Sequence, residues 1–217
     1  MAATTPMQLA LARAYQRRNL ATRLGLRVAT LRAYDHVADY TDDDEADDFA
    51  DTMVPITRGA QRALASTLRS YVHLVTDDDD TDDMELDDVT GDAVQPAGAH
   101  EHWRIPFYSL WKALGAGVVL AEAVAATRND VARQAMTDLA FTQAAAMREL
   151  GSSVDAVRGW QRVLSGPGCE FCAEAADEVY ASDDLMPVHV GCMCGVAPVV
   201  DDQANPGATL NDATMAA

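Results

Sequence analysis

Apolar side chains recur along most of this chain at helical rather than strand spacing. Between residues 6 and 36, Leu20, Leu24, Val28 and Leu31 fall on one stripe. Thr4 or Thr5 is placed to cap the segment, and Pro6 suits a first helical turn, where its missing N–H costs nothing. The spacing predicts one long helix there. After an acidic run at 42–51, Leu64, Leu68, Tyr71 and Val75 share a second helical face, with Pro55 marking a kink or a true start. Two such helices joined by a short polar link are expected to pair as a hairpin.

A second acidic run at 76–92 is followed by Val94-Gln95-Pro96-Ala97-Gly98-Ala99. Charge repulsion and turn residues together predict a mobile linker over 76–100. An EF-hand is the sharper reading of so many Asp residues, but no glycine falls at the loop's sixth position and the ligand order does not fit. Beyond the linker, Trp103, Ile105, Phe107, Tyr108, Leu110 and Trp111 form the most aromatic stretch, interrupted by Pro106, and are expected to pack as core. Helical spacing resumes over 112–126 and again over 129–150, where Val131, Ala135, Leu139 and Met147 share a face and Gly151 is a plausible stop. Short strands are expected around 160–163 and 196–199.

The pattern therefore predicts a mainly α chain of α+β type: a helical region over 1–75, the acidic linker over 76–100, a helical segment over 101–157, a small module over 158–200, and a polar tail over 201–217. With 217 residues and 49% apolar composition the chain can bury a core of ordinary size. No stretch approaches the roughly 20 apolar residues of a membrane span; the nearest, 113–126, is short and contains Glu122. Arg13, Arg17 and Arg18 punctuate the start of the chain, so no signal peptide is expected. A formal charge of −18 makes nucleic acid an unfavourable partner, because phosphates require a basic contact face. Lys112 is the single lysine, and Asp far outnumbers Glu, a bias that either a GC-rich genome or a high-salt setting produces.

All four cysteines fall between residues 169 and 194, as Cys169-x-x-Cys172 and then His189-x-x-Cys192-x-Cys194. The first pair has the spacing of a zinc knuckle, which lets two thiolates converge on one ion, and Gly166-Pro167-Gly168 supplies a tight turn before it. Cys169, Cys172, His189, Cys192 and Cys194 give five candidate ligands for four tetrahedral positions. Two disulfides or a redox Cys-x-x-Cys are the competing readings; the first is opposed by the lack of an export signal and the second by the lack of a β-α-β context. Several thiolates blunt the Lewis acidity of an ion, so the expected cofactor is structural zinc. A zinc deaminase places a Glu two residues after its His and its Cys-x-x-Cys later; here the order is reversed and Gly191 occupies the Glu position.

No catalytic motif stands elsewhere. Gly-x-Ser-x-Gly, His-Glu-x-x-His and phosphate-cradling glycine loops do not occur. His36, His73, His100 and His102 are scattered, and Ser152, Ser153 and Ser165 have no evident base and orienting acid. The chain is therefore expected not to be an enzyme.

In their joint order, Gly159-Trp160-Gln161-Arg162-Val163, Gly168-Cys169-Glu170-Phe171-Cys172-Ala173, Val179-Tyr180, His189-Val190-Gly191-Cys192-Met193-Cys194 and Val196-Ala197-Pro198-Val199 resemble the C-terminal part of phage Mu F-like minor head proteins, in the version found in tailed phages of actinobacteria. The resemblance covers roughly residues 128–200. It implies a head morphogenesis protein that binds the portal inside the virion, in several copies, and assists head assembly, DNA packaging or delivery. The major capsid or scaffolding protein are further partners it suggests, with the host cytoplasm as the location before assembly. Many relatives carry a polar residue where this chain has Met193, and some continue into a toxin domain. Two alternatives stay open: the capsid maturation protease label used for actinophage members, and a nucleic-acid-binding zinc module whose contact face would be Arg158, Arg162 and Trp160.

Overall fold

The computed structural model describes residues 5–77, 81, 84–95, 98–166, 170–181, 189, 191–200 and 205–215. Among them the chain is mainly helical, with a small three-stranded antiparallel sheet near its C-terminal end. Helix α1 (Pro6–Asp35) starts as its sequence dictates. The Thr5 side chain accepts from the Gln8 amide, the Gln8 side chain accepts from the Thr5 amide, and Pro6 occupies the first turn.

The buried face of α1 is not the stripe that hydropathy picks out. Leu24 and Val28 are 44% and 46% exposed, and Leu20 and Leu31 are half-buried. The helix instead buries Ala12, Tyr15, Asn19, Arg23, Leu26, Thr30 and Tyr34. Polar members of this face can be buried because each has an internal partner. Thr30 Oγ1 donates to the Leu26 carbonyl, and the Arg23 guanidinium is satisfied by Asn19, Gln143 and the Cys192 carbonyl.

Helix α2 (Asp43–Thr76) begins inside the first acidic run and continues through Pro55. Asp42 caps it by accepting from the Asp44 amide, and Asp43, Asp44 and Glu45 in the first turn complement the positive end of the helix dipole. Its face of Leu64, Leu68, Tyr71 and Val72 packs on α1, and Tyr71 stacks on Tyr15 at 4.7 Å between ring centroids. The paired helices expected from the sequence are thus present.

Helix α3 (Ala99–Gly115) likewise runs through Pro106 and delivers Trp103, Phe107 and Leu110 to the core. Ile105 and Tyr108 from the same aromatic stretch remain exposed. Helix α4 (Leu120–Ser153) merges what sequence spacing divides near residue 127. The break lies earlier, at Gly117 with φ of 87°, and Gly151 sits inside the last turn rather than ending it.

The described part of the expected mobile linker is packed. Residues 86–89 and 91–93 form two 3-10 turns, Met84 and Val89 are buried, and Gln61 Oε1 accepts from the Gly91 amide at 2.9 Å. Buried Asp138 of α4 draws this segment inward, accepting from Gln95 Nε2 at 2.9 Å and lying 2.8 Å from His102 Nε2. Specific acceptors and two apolar anchors outweigh the repulsion among solvated carboxylates. Nor does the segment divide the core. One apolar cluster joins Tyr15, Leu68 and Tyr71 to Leu150, Trp160 and Val196; the other joins Tyr34, Phe49 and Met53 to Trp103, Phe107 and Leu139.

The sheet has the order β2 (Val179–Tyr180), β1 (Val157–Val163), β3 (Gly195–Val200), with Trp160 opposite both Tyr180 and Pro198. Both faces of β1 are largely covered. A Cβ at Gly159 would come 2.5 Å from the Tyr180 carbonyl, so glycine permits the close approach of β2. The expected polar tail is corrected as well: Pro206–Met215 form helix α6, whose first turn is capped by Asn205. Asn211 explains its docking. Its Oδ1 accepts from the Leu164 amide at 2.9 Å and its Nδ2 donates to the Arg162 carbonyl at 2.8 Å.

Replacing Asn211 with Ala removes these two buried bonds and a longer one, 3.4 Å, from Nδ2 to the Ala176 carbonyl. We expect a loss of about 2–3 kcal/mol, at about 1 kcal/mol per bond, read as a lower urea midpoint with an unchanged slope.

Candidate metal centre

The C-terminal cysteines converge. Cys172 lies on the short helix α5 (Glu170–Ala176), and Cys192 and Cys194 lie in the irregular segment that enters β3. All three are buried, and their sulfurs lie within 4.8 Å of one another. Cys172 and Cys192 are separated by 3.8 Å between sulfurs. An ion with metal–sulfur bonds of about 2.3 Å in a tetrahedron holds its sulfurs about 3.8 Å apart. The Cys172–Cys192 spacing therefore matches that of two sulfurs on a shared ion.

His189 Nε2 lies 2.9 Å from Cys172 Sγ, and its ring meets Phe171 edge-on at 5.4 Å between centroids. The histidine therefore sits at the rim of the thiol cluster, as its sequence position suggested. Cys169, the remaining candidate, lies outside the described residues. Three buried cysteines close enough to hold a metal ion are what the geometry establishes.

The local backbone shows why these residues meet. Gly191 adopts φ of 78°, its amide donates to Thr137 Oγ1 of α4 at 3.2 Å, and the Cys192 amide returns to the His189 carbonyl at 3.2 Å. On the other side, Arg23 Nη1 donates to the Cys192 carbonyl at 2.9 Å and Gln16 Nε2 donates to the Val196 carbonyl at 3.0 Å. A polar seam of α1, spaced Gln16, Asn19, Arg23, thus grips the cysteine segment. A Cβ at Gly195 would fall within 2.7 Å of the Gln16 and Asn19 side-chain ends, so any larger residue there would displace them.

Arg162 is the second buried guanidinium. It is 2% exposed, and its Nη1 lies 3.1 Å from Cys192 Sγ and 3.9 Å from Cys172 Sγ. The Cys192 thiol is pushed down to about 4, first by the hydrogen bond from Cys194 and then by the Arg162 charge, against the opposing effect of burial. Cys194, as proton donor in that pair and buried beside a thiolate, is raised. Within this pair Cys192 is the sulfur that carries the charge, and a bound cation would displace the proton it shares with Cys194.

One sequence-derived surface is overturned here. Arg162 and Trp160 do not form a nucleic-acid contact face, since Trp160 is fully buried and Arg162 nearly so. Only Arg158 of that trio is exposed. The sheet is covered by helices on both sides, so its aromatic and basic residues serve the interior. Arg23 and Gln16 escaped the sequence reading, and Arg162 entered it only as a nucleic-acid contact; the one available signal was the spacing of Asn19 and Arg23 at i, i+4 on α1.

Comparison with known proteins adds no relative: no family model, no curated protein and no solved structure matches this chain. No helix among the described residues is long and apolar enough to cross a membrane.

The cysteine cluster is tied to α1, so its disruption should reach beyond the C-terminal lobe. We expect Cys172→Ser, or a strong chelator acting on protein that holds an ion there, to lower the melting midpoint of the helical signal by roughly 10 °C. That corresponds to about 3–5 kcal/mol spread over a chain of this size. Circular dichroism at 222 nm, with metal content measured on the same samples, checks this.

Proposed function

We propose that this protein is a structural minor component of a tailed-phage head, bound to the portal on the inner side of the shell, and that its C-terminal lobe is stapled by zinc. The observation carrying the reading is the meeting of Cys172, Cys192 and Cys194 at one buried point with His189 at its rim beside Cys172, residues that the Mu F-like motif places in this order. Cys169 is the remaining donor of that motif. A thiolate-rich donor set favours a staple over a Lewis acid, because sulfur donation lowers the acidity of any bound water.

Zinc would be held by three or four of these side chains and would supply only cross-linking. The surrounding residues hold the thiolates in place: Thr137 through Gly191, Arg23 through the Cys192 carbonyl, and Arg162 through sulfur. Such an arrangement converts a segment with little regular backbone pairing into a rigid knob on a helical body. Rigid subunits of this kind suit docking in several copies around a ring. The charge of −18 keeps free subunits apart in the host cytoplasm and turns them away from packaged DNA.

Co-expression with the portal protein of the same phage tests the reading. We expect the two to co-purify at a fixed ratio of several copies per portal ring, with one zinc per copy, and the major capsid protein to remain uncut on incubation. Failure to co-purify at any salt concentration would remove the portal assignment, and specific cleavage would favour the maturation protease.

A further inference from the structure

We propose that Arg162 is the internal counter-cation of the metal cage, and that Cys172, Cys192 and Cys194 all ligate the ion as thiolates. The inference rests on the metal-staple reading above and goes beyond it by fixing the charge of the cage and the identity of its sulfur ligands.

The argument begins with a buried charge that has no carboxylate. Arg162 is 2% exposed, and no ion pair links it to an acidic side chain among the described residues. Its Nε and Nη2 have no hydrogen-bond partner, so its one polar engagement is through Nη1 with the sulfurs of Cys192 and Cys172. The cavity beside it, bordered by Gln143, Cys192, Cys194 and Gly195, measures about 10 Å³. That is room for a single water. One water can satisfy an N–H group, but it cannot neutralise a guanidinium.

An isolated buried cation is costly, and arginine does not escape by losing its proton. The compensating negative charge must therefore come from the sulfurs. A divalent ion bound by two thiolates forms a neutral centre and leaves Arg162 unbalanced. Bound by all three described thiolates, it carries at least one net negative charge, set against the two buried guanidiniums of Arg162 and Arg23. The same N–H···S contact draws electron density from the thiolates and fixes their orientation, so Arg162 is a positioning residue rather than a ligand.

Its place in the fold holds it there. Arg162 is on β1, opposite Val196 of β3, and its own carbonyl accepts from Asn211. The neighbouring buried arginine, Arg23, is already engaged by Asn19, Gln143 and the Cys192 carbonyl, and no sulfur contact is found for it. The two guanidiniums thus divide the work: one holds the backbone of Cys192, the other its sulfur.

Full-length protein loaded with Co²⁺ provides the test, because the sulfur-to-cobalt charge-transfer band reports both the number of thiolates and the electron density on them. Against wild type, Cys172→Ser, Cys192→Ser and Cys194→Ser are each expected to weaken the band. Arg162→Met, whose side chain retains the apolar stem, is expected to shift the band to lower energy. It should also speed ion loss to a chelator by roughly tenfold or more. Arg162→Lys, which restores the charge without the planar donor, should fall between them. Two results would overturn the inference: Cys194→Ser retaining full band intensity, or Arg162→Met and Arg162→Lys both matching wild type in band position and release rate. If Arg162→Met does not fold, the lysine variant alone decides in the same way. Wild-type protein that takes up no Co²⁺ would instead refute the metal reading itself, before any variant is compared.

Discussion

Cys192 is held from two sides by buried guanidiniums, and the remaining architecture follows from that grip. Arg23 reaches the cysteine's carbonyl from the first helix, and Arg162 reaches its sulfur from the central strand. The segment from His189 into β3 has little regular backbone pairing of its own. Without these contacts its peptide groups would lose their partners in a dry interior. Burying two cations is unfavourable in itself. It becomes tolerable when every acceptor the site offers is used and the sulfurs carry negative charge.

This arrangement makes the N-terminal helix part of the C-terminal site. Helix α1 contributes Gln16, Asn19 and Arg23 to the cysteine segment and Tyr15 and Tyr34 to the two apolar clusters. Helix α4 does the same from the other direction, with Thr137 touching Gly191 and Gln143 bridging Arg23 to Tyr15. The cysteine cluster therefore sits at a junction rather than on an appended finger. Its rigidity can be passed to the helical body through packed side chains. The described part of the acidic segment stays at the edge of this body, anchored by Met84, Val89 and Gln95, while its described carboxylates are exposed and Asp87 pairs with Arg62.

Existence and type of the elements were largely legible, their faces were not. Thr5, Pro6 and Gln8 specify the start of α1 by local chemistry, and Trp160 and Val196 fall within the expected strands. Yet Leu24 and Val28 point outward while Asn19 and Arg23 point in, which hydropathy ranks the wrong way round. The preference reverses because distant acceptors, Gln143 and the Cys192 carbonyl, are more than a hundred residues away in sequence. The same reason hid α6, whose docking depends on Asn211 completing bonds to Leu164 and Arg162. Likewise, a run of aspartates looks unfolded until the acceptor at Asp138 and the anchor at Gln61 are known.

The sequence by itself determined the helical character of the chain, the position of two of the three short strands, and the gathering of thiols and imidazole near one end. These rest on periodicity, capping and spacing, which act between residues a few positions apart. The tertiary structure alone decided which polar side chains could be buried, that Trp160 and Arg162 serve the interior rather than a surface, and that α1 closes over the cysteine segment. Those outcomes depend on pairing donors and charges across the fold. A buried polar group is stable only where a partner from elsewhere in the chain arrives in the right geometry.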